Sequence, residues 1–190
     1  KGIEKILFCG EVMPTAQLNV WRRALPGALY ANLYGPTEIT DVCTYFIVER
    51  DFSDTESLPI GFPCRNTDIL VLNERDEPAA DGEIGELCVR GTCLSYGYYR
   101  SPEKTAAAFT QNPLNTMYPE KIYRTGDLVR YNQYGELLYL GRKDYQIKHM
   151  GHRIELGEIE TAASAYRDVK QSCALYDAQK QRIILFVAAE

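Results

Sequence analysis

The sequence predicts an α+β protein in which a β-rich part precedes a small α+β unit. Residues 1–50 alternate apolar extended runs with one helical pattern, whereas residues 51–143 consist of short extended runs separated by Gly, Pro, Asn and Asp. Residues 144–190 follow the order strand, helix, strand, strand. A chain of 190 residues that is 45% hydrophobic and 25% charged is long enough for one domain with a core, or for one and a half.

Residues 1–50 predict part of a sheet with a covering helix. Apolar residues recur at helical spacing over residues 15–25, and a Pro-Gly pair follows, which predicts a helix that ends there. The apolar residues 3–9 predict a buried strand. Residues 29–34 and 43–49 are rich in β-branched and aromatic side chains, so we expect a strand at each.

Residues 51–143 predict a compact, mostly antiparallel β unit. Residues 101–109 have a helical pattern, with Ser101 as the expected N-cap and Pro102 at the first helical position. Residues 132–135 predict a hairpin loop. The predicted strands are residues 67–72, 85–90, 121–124, 128–131 and 137–140.

Residues 144–190 predict a second, smaller unit. A strand is expected near residues 145–148, and Gly151 then predicts a turn. Residues 155–166 carry apolar side chains at steps of three and four, which predicts an amphipathic helix. Two more strands are expected, at residues 171–176 and 182–187.

Composition and charge argue against several classes of protein. Lys and Arg number 21 against 26 Asp and Glu, and the resulting net charge of −5 disfavours binding to nucleic acid. No apolar run approaches the roughly 20 residues that a membrane-spanning helix needs. The 6 cysteines are widely separated and form no C-x-x-C pair, so they predict mostly buried free thiols in a cytoplasmic protein rather than a metal site. The alternative is a disulfide that the spacing does not reveal.

The segment NLYGPTE, residues 32–38, follows a predicted strand and carries groups that suit a nucleotide. Gly35 permits close approach of a ligand, and Thr37 offers a hydroxyl to a phosphate oxygen. Glu38 supplies the hard oxygen that Mg²⁺ prefers. Tyr34 offers a flat face to a base, and the Asn32 amide can donate and accept at an adenine edge. The alternative is a plain β-turn with an exposed glutamate.

Two further polar segments could contact a nucleotide. In YRTGDL, residues 123–128, Asp127 suits a pair of ribose hydroxyls because one carboxylate accepts from both, or it simply caps a glycine turn. Residues 141–153 are dense in cations, and Arg142 could bind phosphate or ribose oxygens. The alternative for that segment is a solvated charged loop.

Four segments match a known set of motifs in order and spacing: NLYGPTE (32–38), GELCVRGTCLSYGYY (85–99), YRTGDL (123–128) and GRKDYQIKHMGHRIELGEIE (141–160). They closely resemble core motifs of the adenylate-forming superfamily, specifically the amino-acid adenylation domains of non-ribosomal peptide synthetases. FCGEV (8–12) and LPIGF (58–62) look most like the D-alanine:carrier-protein ligases of teichoic acid modification, also called D-alanine-poly(phosphoribitol) ligases.

This resemblance implies that ATP and an amino acid react to give an aminoacyl-adenylate and pyrophosphate. The acyl group then passes to the phosphopantetheine thiol of an acyl or peptidyl carrier protein. Catalysis would consist mainly of aligning the reactants and neutralising charge on phosphate oxygens. By motif position, the implied contacts are adenine for Tyr34 and Asn32, the α-phosphate for Thr37, Mg²⁺ for Glu38, the ribose for Asp127, and ribose and phosphate for Arg142.

The resemblance also implies a large domain, residues 1–143, of which residues 51–143 would form a distorted antiparallel β-barrel. A small C-terminal domain would begin at the hinge residue, Asp144. After rotation about that hinge, Lys148 and Gly151 would face the pantetheine arm. The acyl pocket would be lined by Leu7, Cys9, Leu33, Asp41 and Val42, where the acidic Asp41 departs from the family pattern.

The same motifs predict that the chain is the C-terminal part of a longer enzyme. No phosphate loop of the TSGSTGxPKG type occurs in it, and the family's catalytic lysine would lie beyond Glu190, so the chain alone is expected to be inactive. Two alternatives stay open. One is an acyl- or aryl-CoA synthetase of the same superfamily, and the other is a non-catalytic nucleotide-binding homologue.

Overall fold

The structure, a computed structural model, describes residues 2–143, 146–178 and 180–189. The chain divides into two compact units, Lys1–Gly141 and Arg142–Glu190. Both units combine helices with sheets, and strands predominate, which confirms the predicted α+β class. In the part of the chain that the structure describes, no helix is long and apolar enough to cross a membrane.

The first unit begins with a four-stranded sheet in the order β1-β2-β3-β4. Its elements are β1 (Lys5–Phe8), helix α1 (Thr15–Ala24), β2 (Leu29–Tyr34), a 3-10 turn (Thr37–Ile39), β3 (Thr44–Ile47) and β4 (Phe62–Pro63). Strand β1 pairs in parallel with β2, and helix α1 connects the two strands along the chain. The remaining pairs are antiparallel. The prediction that residues 3–9 form a buried strand is wrong about burial, because β1 lies at the sheet edge and Leu7 is 59% exposed.

A five-stranded sheet follows in the same unit. Its elements are β5 (Thr67–Leu72), β6 (Gly85–Gly91), helix α2 (Pro102–Ala108), β7 (Phe109–Gln111), β8 (Lys121–Tyr131) and β9 (Leu137–Arg142). The order is β5-β6-β8-β7, and β9 pairs with β8. Ser101 lies at the N-cap of α2 but makes no capping hydrogen bond with its side chain. Its carbonyl oxygen instead accepts from Thr105 N and Oγ1, at 3.0 and 2.8 Å.

Residues 121–131 correct the sequence prediction of two separate strands. They form one continuous strand, β8, which contains a bulge. Glu86 of β6 pairs with Leu128, and Cys88 pairs with Arg124. Residues 125–127 therefore lie opposite the single residue Leu87. The bulge keeps these polar residues within one strand, whereas their sequence suggested a break between two strands.

The described residues of the second unit form two hairpins and one helix. Its elements are β10 (Gln146–His149), β11 (His152–Glu155), helix α3 (Leu156–Ser164), β12 (Val169–Asp177) and β13 (Arg182–Ala189). Strand β11 is absent from the sequence prediction, which assigned residue 155 to the helix. The turn at Gly151, with a φ of 77°, pairs residues 152–155 with β10 before the helix starts. The helix is fixed to β12 by a hydrogen bond from Ala174 N to the Glu160 carboxylate, at 2.8 Å.

The six cysteines are all present as thiols. Cys43 and Cys88 are buried, as predicted, and Cys64 and Cys93 are partly buried. Cys9 and Cys173 are exposed, so the expectation of burial that the apolar segment around Cys9 suggested is wrong. Burial is the main cause that raises the pKa of the Cys43 thiol well above its ordinary value, so Cys43 is protonated at neutral pH.

The segments that precede β3 and β4 pack against the five-stranded sheet in one apolar core, and an ion pair makes a further connection within the unit. Ile39, Cys43 and Ile60 pack with residues of the five-stranded sheet in this core. Arg50 donates to both carboxylate oxygens of Glu136, each at 2.6 Å, and the Glu136 side chain is only 5% exposed. This bidentate pair connects the chain after β3 with the loop between β8 and β9.

Replacing Glu136 by Gln should destabilise the protein at neutral pH. The variant loses a charge-assisted pair, which we expect to cost about 1–2 kcal/mol because Arg50 is partly exposed to solvent. The matched control is Glu77→Gln, which breaks the exposed Arg75–Glu77 pair and should leave the free energy of unfolding unchanged. Chemical denaturation of the three proteins measures the difference.

The hydrogen bond from Arg50 is the main cause that lowers the pKa of Glu136 in the folded protein. A lowered folded-state pKa stabilises the protein at pH values above the unfolded-state pKa, which is about 4.3 for glutamate. The stability difference between the protein and Glu136→Gln should thus hold from neutral pH to about pH 5 and shrink as the pH falls further. A difference that does not change down to pH 3 would contradict this role for the ion pair.

Candidate functional site

The segment after β2 folds back on itself in a way that requires glycine. A Cβ atom on Gly35 would lie 2.2 Å from the carbonyl oxygen of Asp41, and Thr40 and Asp41 both have positive φ, at 63° and 83°. Thr37 begins the 3-10 turn and is exposed. The predicted turn at Gly35 therefore exists, and it is a tight return of the chain against its own backbone.

Glu38 is buried, so the alternative of a plain turn with an exposed glutamate is wrong. Only 7% of the residue is exposed. The hydroxyl of Tyr98 donates to Glu38 Oε1 at 2.6 Å, and the backbone N–H of Ser95 donates to the Glu38 carbonyl oxygen at 2.8 Å. Tyr98 and Ser95 belong to the segment between β6 and α2, which thus holds the carboxylate from the other sheet.

Asp127 lies in the β8 bulge and is 7% exposed. Its backbone N–H donates to the Thr125 hydroxyl at 3.0 Å, and that hydroxyl donates to the Leu87 carbonyl oxygen at 2.7 Å. Between them, Gly126 has a φ of 73° and donates its N–H to Glu86 Oε1 at 3.1 Å. The bulge is therefore fixed to β6 at two consecutive residues.

The structure brings Tyr34 and Asp127 together from two different sheets. The Tyr34 hydroxyl donates a hydrogen bond to Asp127 Oδ2. Burial, followed by the charge of Asp127, raises the pKa of Tyr34 well above its ordinary value, so the phenol remains a donor at neutral pH. On the same strand Asn32 is buried and donates its side-chain N–H to the Pro59 carbonyl oxygen at 2.8 Å.

The predicted pocket residues lie around the carboxyl ends of β1 and β2. Leu7 is in register with Ala31, two residues before Leu33, so Leu7 and Leu33 lie on one face of the sheet. Leu33 and Val42 are partly buried, whereas Cys9 and Asp41 are exposed. Asp41 therefore needs no buried cationic partner.

The remaining predicted residues belong to the second unit. Arg142 ends β9 and is partly buried. Lys148 lies in β10, and Gly151 lies in the exposed turn between β10 and β11. Asp144, the predicted hinge residue, lies outside the described residues.

Three residues that support the site were not identified from the sequence. Glu86 and Thr125 support the Asp127 bulge, and Tyr98 supports Glu38. Glu86 and Tyr98 belong to the segment 85–99, to which the resemblance assigned no site residue. Nothing in the local pattern indicated their partners, which are 40 and 60 residues away along the chain.

Comparisons with known proteins agree on one family. The family model described as AMP-binding enzyme matches residues 1–99. An L-proline--[L-prolyl-carrier protein] ligase of Streptomyces coelicolor is 40% identical over 190 residues, covering 97% of this chain and 34% of the relative. The chain thus spans about a third of the length of that relative.

Three solved structures are similar to the chain over nearly all of its length. The crystal structure of IdnL1 has a TM-score of 0.92 at 31% identity, over 99% of this chain and 38% of that one. Holo-PA1221, an NRPS protein containing adenylation and PCP domains, gives 0.85 at 27% identity, over 96% and 32%. The Vibrio cholerae adenylation domain AlmE, in complex with glycyl-adenosine-5'-phosphate, gives 0.82 at 31% identity, over 97% and 35%.

Replacing Gly35 by Ala should disrupt the turn that carries Thr37 and Glu38. The added methyl group would meet backbone atoms, which cannot move aside as a flexible side chain can, so we expect a loss of at least about 2 kcal/mol in stability. Gly27→Ala is the matched control, because its Cβ would meet no atom within 4 Å. Denaturant unfolding of both variants tests this, and equal stability would contradict it.

Proposed function

Because this chain belongs to the family of AMP-binding enzymes, we propose that it works as part of a longer, ATP-dependent amino-acid ligase. That ligase forms an aminoacyl-AMP and passes the aminoacyl group to the phosphopantetheine thiol of a carrier protein. The observation that carries the proposal is the contact between Tyr34 and Asp127, since it joins an aromatic ring and a buried carboxylate at motif positions. The adenylation-domain fold supports it.

In the proposed nucleotide site, Tyr34 stacks on adenine and Asp127 accepts hydrogen bonds from the ribose hydroxyls. The contact between these two side chains supports a single nucleoside site, because base and ribose are adjacent in a nucleotide. The side-chain amide of Asn32 donates to the Pro59 carbonyl oxygen, so the side-chain oxygen of Asn32 is the atom that would accept from the exocyclic amine of adenine.

Thr37 and Glu38 are the proposed phosphate and metal residues. Exposed Thr37 contacts the α-phosphate, and Glu38 ligates Mg²⁺. A single carboxylate fits this ion, which proteins usually bind through one or two carboxylates together with substrate phosphates. Bound Mg²⁺ would supply positive charge to the phosphate oxygens. The hydrogen bond from Tyr98 holds the Glu38 carboxylate in place, and Arg142 contributes further positive charge at the ribose and phosphate.

We further propose that the substrate is a small amino acid, with D-alanine as the first candidate from the FCGEV and LPIGF segments. Leu7, Cys9, Leu33, Asp41 and Val42 would line its pocket. The relative of Streptomyces coelicolor is named as a proline ligase and AlmE was solved with a glycyl-adenylate, so two similar proteins are named with small amino acids. Asp144 is the proposed hinge, and Lys148 and Gly151 would face the pantetheine arm of the carrier protein.

The full-length ligase should catalyse amino-acid-dependent exchange of labelled pyrophosphate into ATP. Exchange with D-alanine would support both the chemistry and the substrate. Exchange with glycine, proline or another amino acid alone would keep the chemistry and reassign the pocket. No exchange with any amino acid, but adenylate formation from acyl or aryl acids, would indicate a CoA synthetase. A folded protein that binds ATP and activates neither class would be a non-catalytic homologue.

Replacing Asp127 by Asn should weaken nucleotide binding by about 10- to 100-fold, because hydrogen bonds to an ionised carboxylate are among the stronger ones. The control is Asp68→Asn on the same sheet. The exposed Asp68 carboxylate pairs with Arg90 at 3.1 Å, and its replacement should leave the KM for ATP unchanged. The KM for ATP and the KM for the amino acid are measured in the exchange assay. A change in the amino-acid KM alone would contradict a role at the ribose.

A further inference from the structure

Glu86 is a buried carboxylate whose hydrogen bonds lead to the Asp127 bulge. It lies on β6 and is 7% exposed. Its Oε1 accepts from Gly126 N at 3.1 Å, and its Oε2 accepts from Arg124 Nη1 at 3.0 Å. Both donors come from β8, on either side of Thr125. A carboxylate in such a position is costly to bury unless it is hydrogen-bonded, so these contacts fix its place.

The bulge leaves a backbone group that β6 cannot pair in the usual way. Residues 125–127 of β8 lie opposite Leu87 alone, so the backbone of only one β6 residue is available to pair with three residues of β8. The Leu87 carbonyl oxygen accepts from the Thr125 hydroxyl, and the Glu86 side chain accepts from the Gly126 N–H. A side chain of β6 thus replaces the backbone acceptor that a regular ladder would provide.

Arg124 extends this connection to two further segments of the first unit. Its guanidinium lies between Glu86 and Asp76, and it donates from Nε to Thr110 Oγ1 at 3.3 Å. The inner carboxylate, Glu86, is the one that also holds the bulge, whereas Asp76 is half exposed. Removal of the charge on Glu86 would therefore loosen Arg124 and Gly126 together.

We infer that Glu86 is a positioning residue for the nucleotide: through Gly126 and Arg124 it sets the bulge that presents Asp127 to the ribose. The inference rests on the proposed function, in which Asp127 binds the ribose hydroxyls. In this role Glu86 acts through its hydrogen bonds to Gly126 and Arg124 and not by contact with the nucleotide or the amino acid. Its loss should therefore reduce discrimination at the ribose, where Asp127 acts, and leave recognition of the amino acid unchanged.

The test uses the full-length ligase and its Glu86→Gln variant. Calorimetry gives the Kd values for AMP and for 2′-deoxy-AMP and 3′-deoxy-AMP. We expect Glu86→Gln to weaken AMP binding by about five- to tenfold and to lower the preference for AMP over the deoxy analogues by a similar factor. The KM for the amino acid in the exchange assay should stay within about twofold.

The matched control is Glu120→Gln, another carboxylate of the first unit that pairs with an arginine, Arg90, at 3.1 Å. It has no hydrogen bond to the bulge among those described and should retain the full ribose preference. Thr125→Val provides a second variant. It keeps the side-chain shape, removes the hydroxyl that accepts from Asp127 N–H, and should lower the preference as Glu86→Gln does.

Asp127→Asn separates the two proposals. If it loses the preference for AMP while Glu86→Gln and Thr125→Val keep it, the positioning role is overturned and the ribose site stands. If Asp127→Asn keeps the preference, the ribose site itself is wrong. A general loss of stability in Glu86→Gln, with weaker binding of all three nucleotides by one factor, would likewise overturn the positioning role.

Discussion

The first unit depends on four carboxylates that are buried among its described residues and hydrogen-bonded across its elements: Glu38, Glu86, Asp127 and Glu136. Each accepts from a donor on a distant segment. Tyr98 reaches Glu38, Tyr34 reaches Asp127 and Arg50 reaches Glu136, while Gly126 and Arg124 reach Glu86. These contacts connect the four-stranded sheet, the five-stranded sheet and the loops between them.

Burying a carboxylate between packed sheets carries a large desolvation penalty. An apolar contact of the same size would usually stabilise the fold at least as well, and a carboxylate without its donor would destabilise it. Glu136 and its arginine connect the chain after β3 with the loop between β8 and β9, so this pair has a structural explanation. Glu38 and Asp127 instead lie where the motifs predict contacts to metal and ribose, so their burial is better explained by the chemistry proposed for them.

The sequence was sufficient to predict the class of the fold, most strands and the segments that meet at the site. It was insufficient wherever a tertiary partner decides the structure. The polar residues 124–127 suggested a break between strands because the bulge that accommodates them depends on β6. Likewise, residues 152–155 form a strand only because β10 pairs with them, and their sequence continues smoothly into the helix. The supporting roles of Glu86 and Tyr98 depend on hydrogen-bond partners far away along the chain, which the periodicity of the sequence cannot predict.

A site that is built on a paired strand differs from one on a mobile loop. Strand β8 pairs with β6 on one side and with β7 and β9 on the other, so a side chain in its bulge has little backbone freedom to lose when a ligand binds. A regular strand would direct successive side chains to opposite faces of the sheet, which constrains where Asp127 can lie relative to its neighbours. The bulge changes that alternation while keeping the strand paired. The contact with Tyr34 then places the carboxylate at the junction of two sheets, which is where a ligand with adjoining base and sugar would need both groups.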